Sequence, residues 1–316
     1  PCYEYQDERL GENQEWGTCN FDVTRNEVKS FLISNLTYWF KEFHIDGVRM
    51  DAVANMLYLS YGKNGEKITN QYGGQENLGA VDFFKEMNSI VHDDFPNVLV
   101  VAEDSTAWPL VTKHPVDGGL GFDSKWNMGW MNDTLKYFST DPLFRKDHHG
   151  KLTFSFMYAF SENYVLPLSH DEVVHGKKSI VDKMPGYQED KLAHTRALYS
   201  YQMAHPGKKL NFMGNEFAHG LEWRFYESLE WHLIEQHEEN RGMQDFVRDL
   251  NKLYLKEKSL WEDGSDTFEW IEHENYTENM IAFLRETRDK KEHLVVVFNF
   301  SGIDKRNYKI GVPKDV

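Results

Sequence analysis

The sequence predicts an α/β chain of the (β/α)-barrel kind that runs on into an antiparallel all-β segment. Three observations predict it. Short apolar strand-like runs alternate with helix-length segments as far as Gly264, the pattern of parallel βαβ units. Acidic residues stand repeatedly at the C-terminal ends of those runs. Beyond Gly264 the pattern changes to short alternating strands, as in an antiparallel sheet.

The elements follow in order. Residues 1–24 are polar and turn-rich, with Gly11 and Gly17, and read as an ordered loop. From Asn26 to Phe43 the apolar residues Val28, Phe31, Leu32, Leu36, Trp39 and Phe40 recur at helical spacing, which gives a helix with one buried face. A strand-like run follows at Gly47 to Asp51. Ala80 to His92 reads as a helix, and Asn97 to Ala102 as a strand whose continuous Val98-Leu99-Val100-Val101 run suits burial on both faces. Gly121 to Trp126 is a weaker strand, followed by a helix around Trp130 to Phe138. Tyr164 to Leu168 is a strand, Glu189 to Ala204 a helix stopped by His205-Pro206-Gly207, Lys209 to Met213 a strand and Gly242 to Tyr254 a helix. Phe268 to Ile271, Met280 to Arg285 and Leu294 to Phe300 are the antiparallel strands. The expected domains are therefore 1–264 and 265–316, without internal repeats or low-complexity segments.

Composition narrows the function. With 316 residues, 40% hydrophobic and 15% aromatic, the chain is long enough to bury a large core. A formal charge of −16, from 35 basic and 51 acidic residues, argues against nucleic acid or an anionic membrane as partner and favours a neutral one such as a sugar polymer. Nine Trp, sixteen Tyr and twenty-one Phe chiefly fill cores, although flat rings with a polar edge also suit sugar faces. There is no long apolar run and no signal peptide at the start of the sequence. Cys2 and Cys19 form neither a disulfide framework nor a CxxC metal site, so a reducing, cytoplasmic setting is expected. The sequence starts at Pro1 without a Met, which leaves a preceding region open.

Three acids carry the chemistry. Asp51, Glu103 and Asp171 each follow an apolar strand, the face of a (β/α) barrel that holds active sites. One such acid could be a helix N-cap; three at successive strand ends point to a site. Arg49 and Asp51 are two apart on a strand and leave the same face, where a guanidinium favours the ionised carboxylate that a nucleophile needs. Glu103 follows an apolar strand, surroundings that raise a carboxyl pKa towards that of a useful acid. Two carboxyl groups tuned apart are what cleavage of a glycosidic bond requires. His170 and Asp171 with His175 lack a third ligand at a metal-site spacing, no Gly-x-Ser-x-Gly occurs, and Gly73-Gly74 reads as a turn. No metal and no cofactor are expected.

At this point the residues resemble a known family. His44-Ile-Asp-Gly-Val-Arg-Met-Asp51-Ala-Val53 is similar to the nucleophile-strand motif of the α-amylase clan, Ala102-Glu-Asp-Ser-Thr106 to its acid/base motif, and Leu168-Ser-His-Asp-Glu172 to the motif of its third acid. The longer stretches Asp51 to Tyr58, Glu103 to Pro109, Gly121 to Trp130 and Ser169 to Gly176 resemble the glycogen branching enzymes within that clan. The resemblance implies a (β/α)8 TIM-type barrel, of which strands four to eight are present, followed by part of a C-terminal β domain. The clan's motif at the end of the third strand is absent, so an N-terminally truncated chain is expected. It further implies a cytoplasmic glycosyltransferase of glycogen biosynthesis that cleaves an α-1,4 bond of an α-glucan and makes an α-1,6 branch. In it Asp51 is the nucleophile, Glu103 the acid/base, Asp171 the transition-state-stabilising acid, and Arg49 and His170 substrate contacts.

Overall fold

The apolar stripe at 26–43 becomes helix α1, Asn26–Phe43, in the computed structural model of the chain, which describes residues 2–313. His44, in the left-handed region at φ 53°, ends it and turns the chain into strand β1, Gly47–Met50. A Cβ at Gly47 would lie 2.6 Å from the Leu99 carbonyl oxygen, so only glycine lets the next strand approach. That strand is β2, Leu99–Ala102, parallel to β1, and β2 pairs in turn with parallel β3, Ser124–Trp126. A parallel pair needs a long crossover. Between β1 and β2 it is supplied by α2, Val53–Leu57, and α3, Leu78–Asp94. The Asn77 side chain caps α3 by accepting the Ala80 amide.

These elements form one compact unit, residues 1–126 with 161–163. Its core is Phe83, Phe84, Met87 and Val91 of α3 packed with Val100, Ala102 and Phe122. Helix α1 adds Phe40 to this core but leaves Phe31, Tyr38, Trp39 and Phe43 exposed.

The second unit, residues 127–160 with 164–316, repeats the alternation. It contains α4 (Met128–Phe138), β4 (Tyr164–Leu168), α5 (Gln188–Ala204), β5 (Lys208–Asn211) and α6 (Glu238–Lys256), with β4 and β5 parallel from Val165↔Lys208 to Leu168↔Asn211. It closes on an antiparallel sheet of β6 (Phe268–Glu272), β7 (Met280–Glu286) and β8 (His293–Asn299), with β7 central and buried along its length. Tyr199 and Tyr201 of α5 share one core with Ile281 and Phe283 of β7. The buried Arg145 donates to the carbonyls of Phe138, Thr140 and Phe300.

The expected α/β class with a C-terminal antiparallel sheet is borne out. Two local expectations change, and one short helix was not expected. Leu99 is 56% exposed, so β2 is not buried on both faces as its unbroken apolar run implied. Residues 1–24 contain a helical turn at Glu8–Gly11 and a small pairing of Glu12–Asn13 with Thr18–Cys19. Helix α2 has only five residues, too few to show a period. Cys2 and Cys19 are free and exposed. Among the described residues no helix is long and apolar enough to cross a membrane, and no His/Cys/Asp/Glu group could hold a metal ion.

Candidate active site

The register fixes where the first two acids stand. Met50 is level with Ala102, and Ala102 with Lys125, so Asp51, Glu103 and Trp126 emerge side by side at the strands' C-terminal ends. Arg49 joins them. Its Nη1 lies 2.7 Å from Asp51 Oδ1 and its Nη2 3.9 Å from Glu103 Oε2. The guanidinium rests over the Trp126 ring, 4.1 Å from its centroid, a cation–π seat that orients the fork.

The two carboxylates differ in environment. The Asp51 side chain is 76% exposed and that of Glu103 14%. Burial raises the Glu103 pKa above the usual carboxylate range, opposed by the Ala52 amide and Arg49 and reinforced by the negative charges of Asp51 and Asp104. The Ala52 amide donates to Glu103 Oε2 at 2.8 Å. Ala52 does so from a left-handed conformation, φ 51° and ψ 44°, that also starts α2. Backbone bonds from Glu103 N to Met50 O and from Val53 N to Glu103 O, both 2.9 Å, hold the two strand ends together.

Behind Glu103 the Asp104 carboxylate is fully buried against Lys125 Nζ at 2.8 Å. It also accepts the Thr106 amide and hydroxyl at 2.9 and 2.7 Å. Two residues on, Trp108 meets Tyr58 edge-on with centroids 5.2 Å apart. A cavity of about 410 Å³ opens beside the strand ends, lined among others by Cys19, Leu36, Trp39, Arg49, Asp51 and Asn55.

In the second unit, His170 and Asp171 lie in the turn after β4. His170 Nε2 is 3.3 Å from Asp171 Oδ1, and the His170 ring stands near Phe212 and Trp223. The turn is built by a capping box. The Ser169 hydroxyl accepts the Asp171 amide at 3.2 Å, and Glu172 Oε2 accepts the Ser169 amide and hydroxyl at 2.6 and 2.7 Å. Lys177 Nζ donates to the Asp171 carbonyl at 2.9 Å.

Of the five residues expected at a site, Arg49, Asp51 and Glu103 are brought together in the first unit, and His170 and Asp171 in the second. Sequence reasoning missed Trp126, Ala52 and the Asp104–Lys125 pair. The β2–β3 register, which supplies Trp126 and Lys125, has no local signature.

Residues 270–316 match the family described as "Alpha amylase, C-terminal all-beta domain". A cyclomaltodextrinase structure aligns with a TM-score of 0.61 at 18% identity, over 90% of this chain and 42% of its own. An Anoxybacillus alpha-amylase aligns with a TM-score of 0.61 at 16% identity, over 95% of this chain and 59% of its own. The fold is that of the α-amylase barrel enzymes with their C-terminal β domain.

Sequence similarity then narrows the family. The chain is 64% identical to a 1,4-alpha-glucan branching enzyme of Fusobacterium nucleatum subsp. nucleatum, over 99% of this chain and 49% of the relative. It is 53% identical to that of Halothermothrix orenii, over 99% and 50%, and 51% identical to that of Aquifex aeolicus, again over 99% and 50%. Over nearly its whole length the chain is similar to 1,4-alpha-glucan branching enzymes, and it spans about half the length of the curated relatives it matches.

Proposed function

We propose that these residues serve a retaining glucan branching reaction. Glu103, in its acid form, protonates the oxygen of an α-1,4 bond as the Asp51 carboxylate attacks the anomeric carbon, giving a covalent glycosyl-enzyme and a free 4-hydroxyl on the departing chain. Glu103, now ionised, takes the proton from the 6-hydroxyl of an acceptor glucan. That oxygen attacks the anomeric carbon and Asp51 leaves, so an α-1,6 branch forms with net retention. Arg49 orients Asp51 through their 2.7 Å contact. Asp171 stabilises the oxocarbenium-like transition state by its charge, and His170 contacts the substrate. Residues 1–264 supply the catalytic part and 265–316 the C-terminal β domain. The substrate is an α-glucan such as glycogen or amylose, and the setting is the cytoplasm.

The observation that carries this reading is one guanidinium held between an exposed carboxylate and a buried one whose pKa burial has raised. The test is amylose turnover by the chain joined to the remaining length of a branching-enzyme relative, beside its Asp51→Ala and Glu103→Gln variants. Iodine colour lost without matching growth of reducing ends, and abolished in both variants, is expected. Reducing ends rising in step with lost colour would make it a hydrolase with water as acceptor, and turnover surviving in Asp51→Ala would sink the assignment of the nucleophile.

A further inference from the structure

The turn that follows Glu103 is held by a charge pair removed from water. The Asp104 side chain is fully buried, the Lys125 side chain is 6% exposed, and their charges meet at 2.8 Å. Lys125 Nζ also donates to the Thr106 carbonyl at 2.8 Å, so one ammonium grips the turn at two points. Desolvating both charges carries a cost that an apolar pair of the same size avoids, so such a pair is weak cement. It does specify geometry. Lys125 stands level with Ala102 in the β2–β3 ladder. From there it fixes the backbone on the C-terminal side of Glu103, as the bond from the Glu103 amide to Met50 O fixes the other side.

We propose that the Asp104–Lys125 pair is the positioning element for Glu103, holding its carboxyl on the Ala52 amide and beside Arg49. The proposal deepens the branching reading and rests on Glu103 being the proton donor there. Asp104 and Lys125 touch no reacting atom; they act through the peptide that joins Asp104 to Glu103 and through their charges. The charged groups facing Glu103 within its unit are Arg49, Asp51 and Asp104, and Lys125 neutralises the last of these.

The experiment is a direct carboxyl titration of Glu103 by ¹³C NMR in the wild type, Lys125→Met and Asp104→Asn, with Glu103→Gln assigning the signal. Lys125→Met leaves the negative charge of Asp104 uncompensated and moves the Glu103 midpoint upward. Asp104→Asn leaves the positive charge and moves it downward. A purely structural role predicts no such opposition of sign, and if one variant fails to fold, the direction in the other decides. Midpoints that stay put, or a Lys125→Met midpoint that moves downward, overturn the proposal. In the active enzyme, Lys125→Met is expected to lower kcat on the order of tenfold to a hundredfold with little change in KM, because misplacing a catalytic group has that scale of cost. Its alkaline activity limb follows the NMR midpoint. A midpoint that moves while the limb does not upholds the pair as the positioning element and instead removes Glu103 from its proton-transfer role.

Discussion

Ala52 donates its amide to Glu103 Oε2 across 2.8 Å while its own backbone sits at φ 51°, in the left-handed region. An alanine there carries strain of roughly 1–2 kcal/mol, and a β-branched side chain carries more. Ala52→Gly is expected to unfold at the same or a higher urea concentration than the wild type. Ala52→Val is expected to lose about 1–2 kcal/mol. Equal midpoints for the two variants would mean that the conformation costs nothing.

The raised pKa of Glu103 has a stability consequence of definite sign. Between the ordinary carboxyl pKa and the higher folded one, the native state binds more protons than the unfolded chain, so stability falls as pH rises through that window. Glu103→Gln removes this penalty. Its melting temperature is expected to exceed that of the wild type at neutral pH, with the gain vanishing on acidification below the ordinary carboxyl range. A gain that persists unchanged in acid would have another origin.

Asp51 adds to the pKa of Glu103 by like-charge repulsion. Asp51→Asn is expected to lower the Glu103 midpoint in a carboxyl NMR titration while leaving it above the ordinary value, since burial is the larger cause. A midpoint that does not move would show the two acids to be electrostatically separate.

Gly47→Ala places a methyl 2.6 Å from the Leu99 carbonyl oxygen, against rigid strand backbone. A loss of about 1–3 kcal/mol is expected from such overpacking, measured by chemical denaturation. The β1–β2 separation that sets Arg49 against Glu103 should widen with it.

His205 is fully buried between the Ser155 hydroxyl, 2.8 Å from Nε2, and the Pro206 carbonyl, 2.7 Å from Nδ1. Burial holds its pKa well below the usual value. As pH falls below about 6.5 the unfolded chain takes up a proton that the native ring refuses, so stability declines by up to ~1.4 kcal/mol per pH unit. His205→Gln is expected to flatten the dependence of melting temperature on pH between neutral and mildly acidic conditions.

How much of this was legible in the sequence depended on how local each cause is. Helix 26–43 and strand 164–168 were legible to the residue, because the stripe of Val28 to Phe40 and the run from Tyr164 are local signals bounded by turns. Asp51 and Glu103 were legible as strand-end acids, and the structure sets both on Arg49. The roles of Asp171 and His170 rest on resemblance. Trp126 under Arg49 and Lys125 on Asp104 were not legible, since both arise from a non-local register. Leu99 misled because an unbroken apolar run does not reveal which of its side chains lacks a covering layer.

The chain has two thiols, Cys2 and Cys19, both free and exposed. Cys19 lines the cavity that also takes in Arg49 and Asp51, and Cys2 does not. An alkylating reagent therefore finds one handle inside the cavity and a built-in control outside it. A molecule seated beside Asp51 shields Cys19 alone, so the ratio of adduct masses at the two cysteines reads out occupancy of the cavity without any turnover.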